Sequence, residues 1–342
     1  MRERVDCWLL IPCVVLGISA IAWSAAARAQ AAAAPAADER ANAMAAMRER
    51  QNATPDTPGT GQYPALKEEV ASLPDHVVYR PADLGKLGSR KLGVYIFGNG
   101  ACSNDGASAR LHLLEIASHG FLAIAPGRVR NGPGAVTTTD APPARSPQDD
   151  PAKLPTPPTT AADLLSALDW ALAQNRDPQS PLHGKIDPDA IAISGFSCGG
   201  LQALQIAGDP RVKTLIVMNS GIFKDNTQGI NGIHVSKDLL QKIHTPTLYI
   251  LGGETDIAYA NGMDDFERIG HVPVYLGNLL GVGHGGTYWQ ANGGKAAAAV
   301  VAWLNWQLRG DLTAAKQFEG ANCGLCRDPA WKFASKKPEA AR

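Results

Sequence analysis

The chain has 342 residues, is 45% hydrophobic and 19% charged, and carries 32 basic against 32 acidic side chains. That is the composition of a globular protein with ample apolar core. The balanced charge excludes the broad basic field by which proteins bind nucleic acid or an anionic membrane, so neither is expected as a partner.

In chain order, the first element is a targeting segment. Arg2 and Arg4 precede an apolar run from Trp8 to Trp23, and Ala27-Arg28-Ala29 offers small residues on both sides of a cleavage point. The pattern predicts a signal peptide over residues 1–29, cut after Ala29, and a periplasmic or secreted protein. The apolar run is short for a membrane-spanning helix, so no stable membrane association is expected after cleavage. Cys13 follows Leu10-Ile11-Pro12, a poor lipidation context. Residues 30–62, rich in Ala, Pro, Thr, Gly and charge, read as a disordered linker.

From Tyr63 short apolar runs alternate with helical stretches. Strands are predicted at His76–Tyr79, Leu92–Phe97, Phe121–Ala125, Ala190–Ile193, Thr214–Met218, Thr247–Leu251 and Val272–Leu276. Helices are predicted at Gly106–Ser118, Ala161–Ala173, from Leu201 to Ile206, and at Lys295–Leu308. The alternation argues for a single α/β domain over residues 63–312, with a mostly parallel central sheet and helices on both faces. Residues 127–160 lack periodicity and are expected to form a wall or lid beside a cleft, or a surface excursion. Residues 313–342 read as a C-terminal tail.

Gly195-Phe196-Ser197-Cys198-Gly199-Gly200 stands between a predicted strand and a predicted helix. A strand, a tight glycine-flanked turn with a central serine, and a helix make a nucleophile elbow. A serine hydroxyl is a poor nucleophile near neutrality and needs a base, which in turn needs an acid to orient it. Asp256 lies in the turn Gly252-Gly253-Glu254-Thr255-Asp256 after a predicted strand and is the candidate acid, with Glu254 as its competitor. His284, in Gly281-Val282-Gly283-His284-Gly285-Gly286, is the candidate base. The Cys198 N–H and either Asn99 or Gly100, in Phe97-Gly98-Asn99-Gly100, are candidate oxyanion donors. The alternative readings are a structural serine in a tight turn, a loop-capping Asp256, a structural His284 and a simple strand-ending turn at Phe97–Gly100.

These pieces, in the order serine, aspartate, histidine, resemble the α/β-hydrolase superfamily over about Tyr63 to Leu312. The helix Ala161–Ala173, the Gly-Gly-x-x-Asp turn and the Gly-His-Gly-Gly loop are similar to the dienelactone-hydrolase and polyester-hydrolase branch. The enzymes of that first group use a cysteine nucleophile, whereas Ser197 stands at the centre here, which favours ester hydrolysis over lactone specificity. The resemblance implies a serine hydrolase that cleaves a small-molecule or polymeric carboxylic ester through an acyl-enzyme, with no metal or organic cofactor; the signal peptide adds export, and a monomer is expected. A peptidase or amidase with the same triad, or a non-catalytic binding protein on the same fold, are the alternatives.

Beyond the signal peptide four cysteines remain, Cys102, Cys198, Cys323 and Cys326, which allow three pairings. In the fold implied by the resemblance, the segments carrying Cys102 and Cys198 must meet to form the oxyanion site. A Cys102–Cys198 disulfide is therefore expected, which leaves Cys323–Cys326 as a small staple on the tail.

Overall fold

The computed structural model describes residues 49–135, 156–224, 230 and 232–338, together with 42, 45 and 46. The expected signal peptide and residues 136–155 of the long aperiodic segment lie outside the described residues.

The strands are β1 (Ala65–Glu68), β2 (His76–Pro81), β3 (Leu92–Gly98), β4 (Phe121–Pro126), β5 (Ile186–Phe196), β6 (Thr214–Met218), β7 (Thr247–Leu251), β8 (Val274–Leu279) and β9 (Trp331–Lys336). They form one sheet in the order β1-β2-β4-β3-β5-β6-β7-β8-β9. The inner strands β4, β3, β5, β6, β7 and β8 are parallel, whereas β1, β2 and β9 pair antiparallel at the two margins. Every residue of β3, β4, β6, β7 and β8 is buried. These strands read as unbroken apolar runs because both faces of the sheet are covered.

The main helices are α1 (Arg110–Ser118), α2 (Ala161–Arg176), α3 (Cys198–Gln205), α4 (Tyr259–Arg268) and α5 (Gly294–Arg309). Helices α1 and α5 bury Leu113, Ile116, Val300 and Trp303 with Tyr95 and Phe97 on one face of the sheet. Helices α2, α3 and α4 bury Leu164, Leu168, Leu201, Leu204 and Phe266 with Val94, Ile96 and Ile193 on the other. The molecule is thus a three-layer α/β protein. Local signals set the helix ends. The Asp163 carboxylate accepts from the Thr160 N–H at 2.6 Å and from the Thr160 hydroxyl at 3.0 Å at the start of α2. Gly310, at φ 68°, closes α5 in the left-handed region.

Two boundaries differ from the sequence expectation. The last part of the expected linker, residues 49–62, is docked against α1. The buried Arg110 guanidinium donates to Asp56 and to the carbonyls of Gln51 and Thr54, and Glu115 accepts from the Thr60 N–H at 2.8 Å. Composition predicted solvated chain, but a buried cation supplies donors that the segment's carbonyls satisfy. The expected tail is likewise part of the fold. Its end, β9, extends the sheet beyond β8, with Leu279 opposite Trp331 and Val274 opposite Lys336. The unpaired edge of β8 made that strand possible, and Trp331 and Leu325 cover it from the α1/α5 side.

Candidate active site

The parallel strands all deliver their following loops to one sheet edge, the carboxyl edge, where α/β proteins bind ligands. Ser197 directly follows β5, Asn219 follows β6, and the loops carrying Asp256 and His284 follow β7 and β8.

Ser197 sits at φ 55° and ψ −121°, a conformation that non-glycine residues rarely adopt. Close backbone packing explains why glycines surround it. A Cβ on Gly199 would lie 2.1 Å from the Gly98 carbonyl carbon, and one on Gly195 would lie 2.2 Å from the Gly199 oxygen. The ends of β3 and β5 and the start of α3 therefore meet backbone to backbone. The Ser197 carbonyl accepts from the Ser220 hydroxyl at 2.6 Å, which helps hold the turn.

The three candidate catalytic side chains form one chain of hydrogen bonds. His284 Nε2 lies 2.9 Å from Ser197 Oγ, and His284 Nδ1 lies 2.7 Å from Asp256 Oδ1. Asp256 is buried and accepts three further bonds, from Asn219 Nδ2 at 2.8 Å, the Ala258 N–H at 2.9 Å and the Gly252 N–H at 3.0 Å. Burial pushes its carboxyl upward, but the bonds from His284, Ala258, Asn219 and Gly252 outweigh that and hold it below the ordinary aspartate range. Asp256 is thus an anion beside an imidazole whose other nitrogen faces a hydroxyl. Glu254, its competitor in the sequence, is exposed on the same turn.

No protein-family model and no curated protein matches the chain. Roles for these residues therefore rest on their geometry. The chain Asp256–His284–Ser197 can draw a proton from the serine hydroxyl and return it to a leaving group.

The expected oxyanion residues lie beside the elbow. Cys198 opens α3, so its N–H has no acceptor within the helix. Asn99 is fully buried, and its side-chain amide donates to the carbonyls of Ser103 at 2.9 Å and Pro126 at 2.6 Å. That side chain pins the loop and is not available to a substrate. The following turn is closed by the bonds from the Cys102 N–H to the Asn99 carbonyl and from the Ser103 N–H to the Gly100 carbonyl, which use neither the Gly100 nor the Ala101 N–H. A Cβ on Gly100 would lie 2.4 Å from the Phe196 ring, so this turn abuts the elbow directly.

Both disulfides have the expected partners, Cys102–Cys198 with Cα atoms 5.2 Å apart and Cys323–Cys326 with Cα atoms 4.9 Å apart. The first ties the turn after β3 to the start of α3. Ala101 and Cys102 both have positive φ, 54° and 47°, so that turn holds a conformation disfavoured for its residues. The disulfide and two bonds to the Cys102 carbonyl, from the Thr159 N–H and hydroxyl, hold it there. Thr159 lies in the described last part, residues 156–160, of the long segment that follows β4.

Several site residues carry no sequence signal of their own. The Phe196 ring lies tilted against His284 with ring centroids 5.3 Å apart and against Tyr288 at 4.4 Å. Tyr288 is buried and donates to Asn219 Oδ1 at 3.0 Å, and burial pushes its hydroxyl far above the ordinary tyrosine range. Asn219 directly follows the β6 apolar run, and that position at the carboxyl edge is the one hint the sequence holds. Among the described residues no group of three or more His, Cys, Asp or Glu is placed to hold a metal ion.

Proposed function

We propose that the protein is a serine hydrolase of carboxylic esters on the α/β-hydrolase fold, in the dienelactone-hydrolase and polyester-hydrolase-like branch. The observation that carries this reading is the unbroken line Asp256–His284–Ser197, with bonds of 2.7 and 2.9 Å, ending on a serine in a strained turn at the carboxyl edge of the sheet. A structural serine has no need of that backbone strain, nor of a histidine already held by a buried carboxylate.

In the reaction, Ser197 Oγ attacks the ester carbonyl carbon while its proton passes to His284 Nε2. The carbonyl oxygen gains negative charge, and the N–H of Cys198 and an N–H of the Gly100–Ala101 turn stabilise it. The C–O bond to the alcohol breaks and the alcohol leaves with the proton from His284. Water then attacks the acyl-Ser197 by the same route in reverse roles, His284 taking its proton and returning it to Ser197. Asp256 keeps its charge throughout and holds His284 in the required tautomer. Two disulfides suit an oxidising compartment, in keeping with export, and no described helix is long and apolar enough to cross a membrane.

The test is a panel of short and long p-nitrophenyl esters, a feruloyl ester, an acetylated sugar and a polyester, each against wild type and Ser197→Ala. Turnover by wild type and a loss of about 10⁴-fold or more in the variant are expected. Full turnover by Ser197→Ala would overturn the mechanism.

A further inference from the structure

Asn219 occupies an unusual position. It is buried, it is not a glycine, and it is held at φ 44°. Its amide touches three separate pieces of the site. Nδ2 donates to Asp256 Oδ2 at 2.8 Å and lies 3.3 Å from the carbonyl of Gly283, the residue before His284. Oδ1 accepts from the Tyr288 hydroxyl at 3.0 Å. A carboxylate and a carbonyl only accept, so Nδ2 must face them, and Tyr288 must be the donor on the other side.

These bonds close a ring. The Gly283 N–H donates to the Gly252 carbonyl at 2.8 Å, and the Gly252 N–H donates to Asp256 Oδ2 at 3.0 Å. The end of β6, the acid turn after β7 and the base loop after β8 are thereby joined through one amide. There is no slack at the junction, because a Cβ on Gly252 would lie 1.9 Å from the Gly283 oxygen and 3.0 Å from Asn219 Nδ2.

We propose that Asn219, its amide oriented by Tyr288, is the positioning residue that sets Asp256 and the His284 loop in mutual register. The proposal rests on the serine-hydrolase reading. Asp256 Oδ1 must stay on His284 Nδ1 while the imidazole gains and loses a proton. With Oδ2 held by Asn219 and Gly252 the carboxylate cannot swing away. Without Asn219, Oδ2 keeps only the Gly252 N–H and the base loop loses its link to β6. The Asn219 amide bonds Asp256, the Gly283 carbonyl and Tyr288 and makes no bond to Ser197 or His284, so its loss is expected to act on the chemical step through Asp256 rather than on substrate binding.

The test compares wild type, Asn219→Ala, Asn219→Asp, Tyr288→Phe and the Asn219→Ala/Tyr288→Phe double variant. The readouts are kcat and KM on p-nitrophenyl acetate and p-nitrophenyl butyrate, and the rate of covalent labelling by a fluorophosphonate. Asn219→Asp keeps the size and the acceptor toward Tyr288 but replaces the donor toward Asp256. It and Asn219→Ala should each lower kcat and the labelling rate by about 10²-fold with KM within about twofold of wild type. Tyr288→Phe should lower kcat by about 3- to 10-fold, and the double variant should be no worse than Asn219→Ala alone, because both act through one bond chain. Wild-type kcat and labelling rate in Asn219→Asp and Asn219→Ala, with Ser197→Ala inactive, would overturn the positioning role and leave the hydrolase reading standing. A rise in KM with kcat unchanged would overturn it as well. Full turnover in Ser197→Ala, or no labelling of wild type, would overturn both.

Discussion

The elbow concentrates several single-residue demands within a few ångströms. Ser197 holds a positive φ that costs of the order of 1–3 kcal/mol, and it persists because its surroundings leave no alternative. Gly199 is the clearest of those constraints, since a methyl there would strike the Gly98 carbonyl carbon at 2.1 Å. Backbone, unlike a side chain, cannot rotate aside. Gly199→Ala is therefore expected to destabilise the protein by about 2 kcal/mol or more, by forcing β3 and α3 apart. It should also depress ester turnover beyond what the lost stability explains, because the Gly98–Ala101 turn moves with β3. Urea melts combined with kcat on the folded fraction check this, and wild-type turnover in the variant would show that the turn tolerates the shift. Ser197, Asp256 and His284 were legible in the sequence because each follows an apolar run and sits among glycines. Asn219 and Tyr288 were not, because their importance lies in contacts 69 residues apart in sequence and 3.0 Å apart in space.

At the scale of elements, the site is an agreement between loops. The Cys102–Cys198 disulfide spans 96 residues and joins the turn after β3 to the first residue of α3. A crosslink closing a loop of that length is worth about 4–5 kcal/mol in the chain-entropy account. The double variant Cys102→Ala/Cys198→Ala should lose stability on that scale. It should also lose activity, since Ala101 and residue 102 would be free to relax from positive φ. Thermal melts and ester turnover, with the single disulfide Cys323–Cys326 retained as a control, test both parts. An unchanged melting temperature would mean that the bonds from Thr159 suffice to hold the turn. The predicted inner strands and the helices on both faces coincide with the observed ones to within a few residues, because their apolar runs are continuous or helically spaced. β1 and β9 were missed because they are margin strands of four and six residues, β1 half-buried throughout and β9 with only Trp331 buried. Their pairing comes from a neighbour's open edge, and no local pattern announces that.

For the molecule as a whole, buried and bonded carboxyls decide how stability follows pH. Glu115 is pushed upward by burial, but bonds from His119 and from the Thr60 hydroxyl and N–H bring it below the ordinary range. Asp209 is held low by Arg211, and Asp256 is low as described above. The stability these groups contribute is present above the ordinary carboxylate range and is lost as pH falls through their lowered values, below about pH 4. Asp265 runs the other way. Burial pushes it up to about 6 despite the Lys237 ammonium, the Ile222 N–H and the Tyr249 hydroxyl beside it. Its contribution is present below the ordinary carboxylate range and is lost as pH rises through about 6. Denaturant unfolding from pH 3 to pH 7 should show the loss at the acid end in both wild type and Asp265→Asn. The decline between about pH 4 and pH 6 should appear in wild type alone. An identical slope in both proteins over that window would rule out Asp265 as its source. The sequence alone determined the α/β class and the chain order of the candidate triad, because apolar periodicity and glycine-rich turns are local and survive translation into structure; the cysteine pairing was expected only from the fold that the resemblance implies. The tertiary structure alone decided that residues 49–62 dock on Arg110, that β9 completes the sheet, and that Asn219 ties the acid and base loops together. Each of those depends on a donor or an open edge supplied by a distant part of the chain, and long-range hydrogen-bond partners leave no periodic trace.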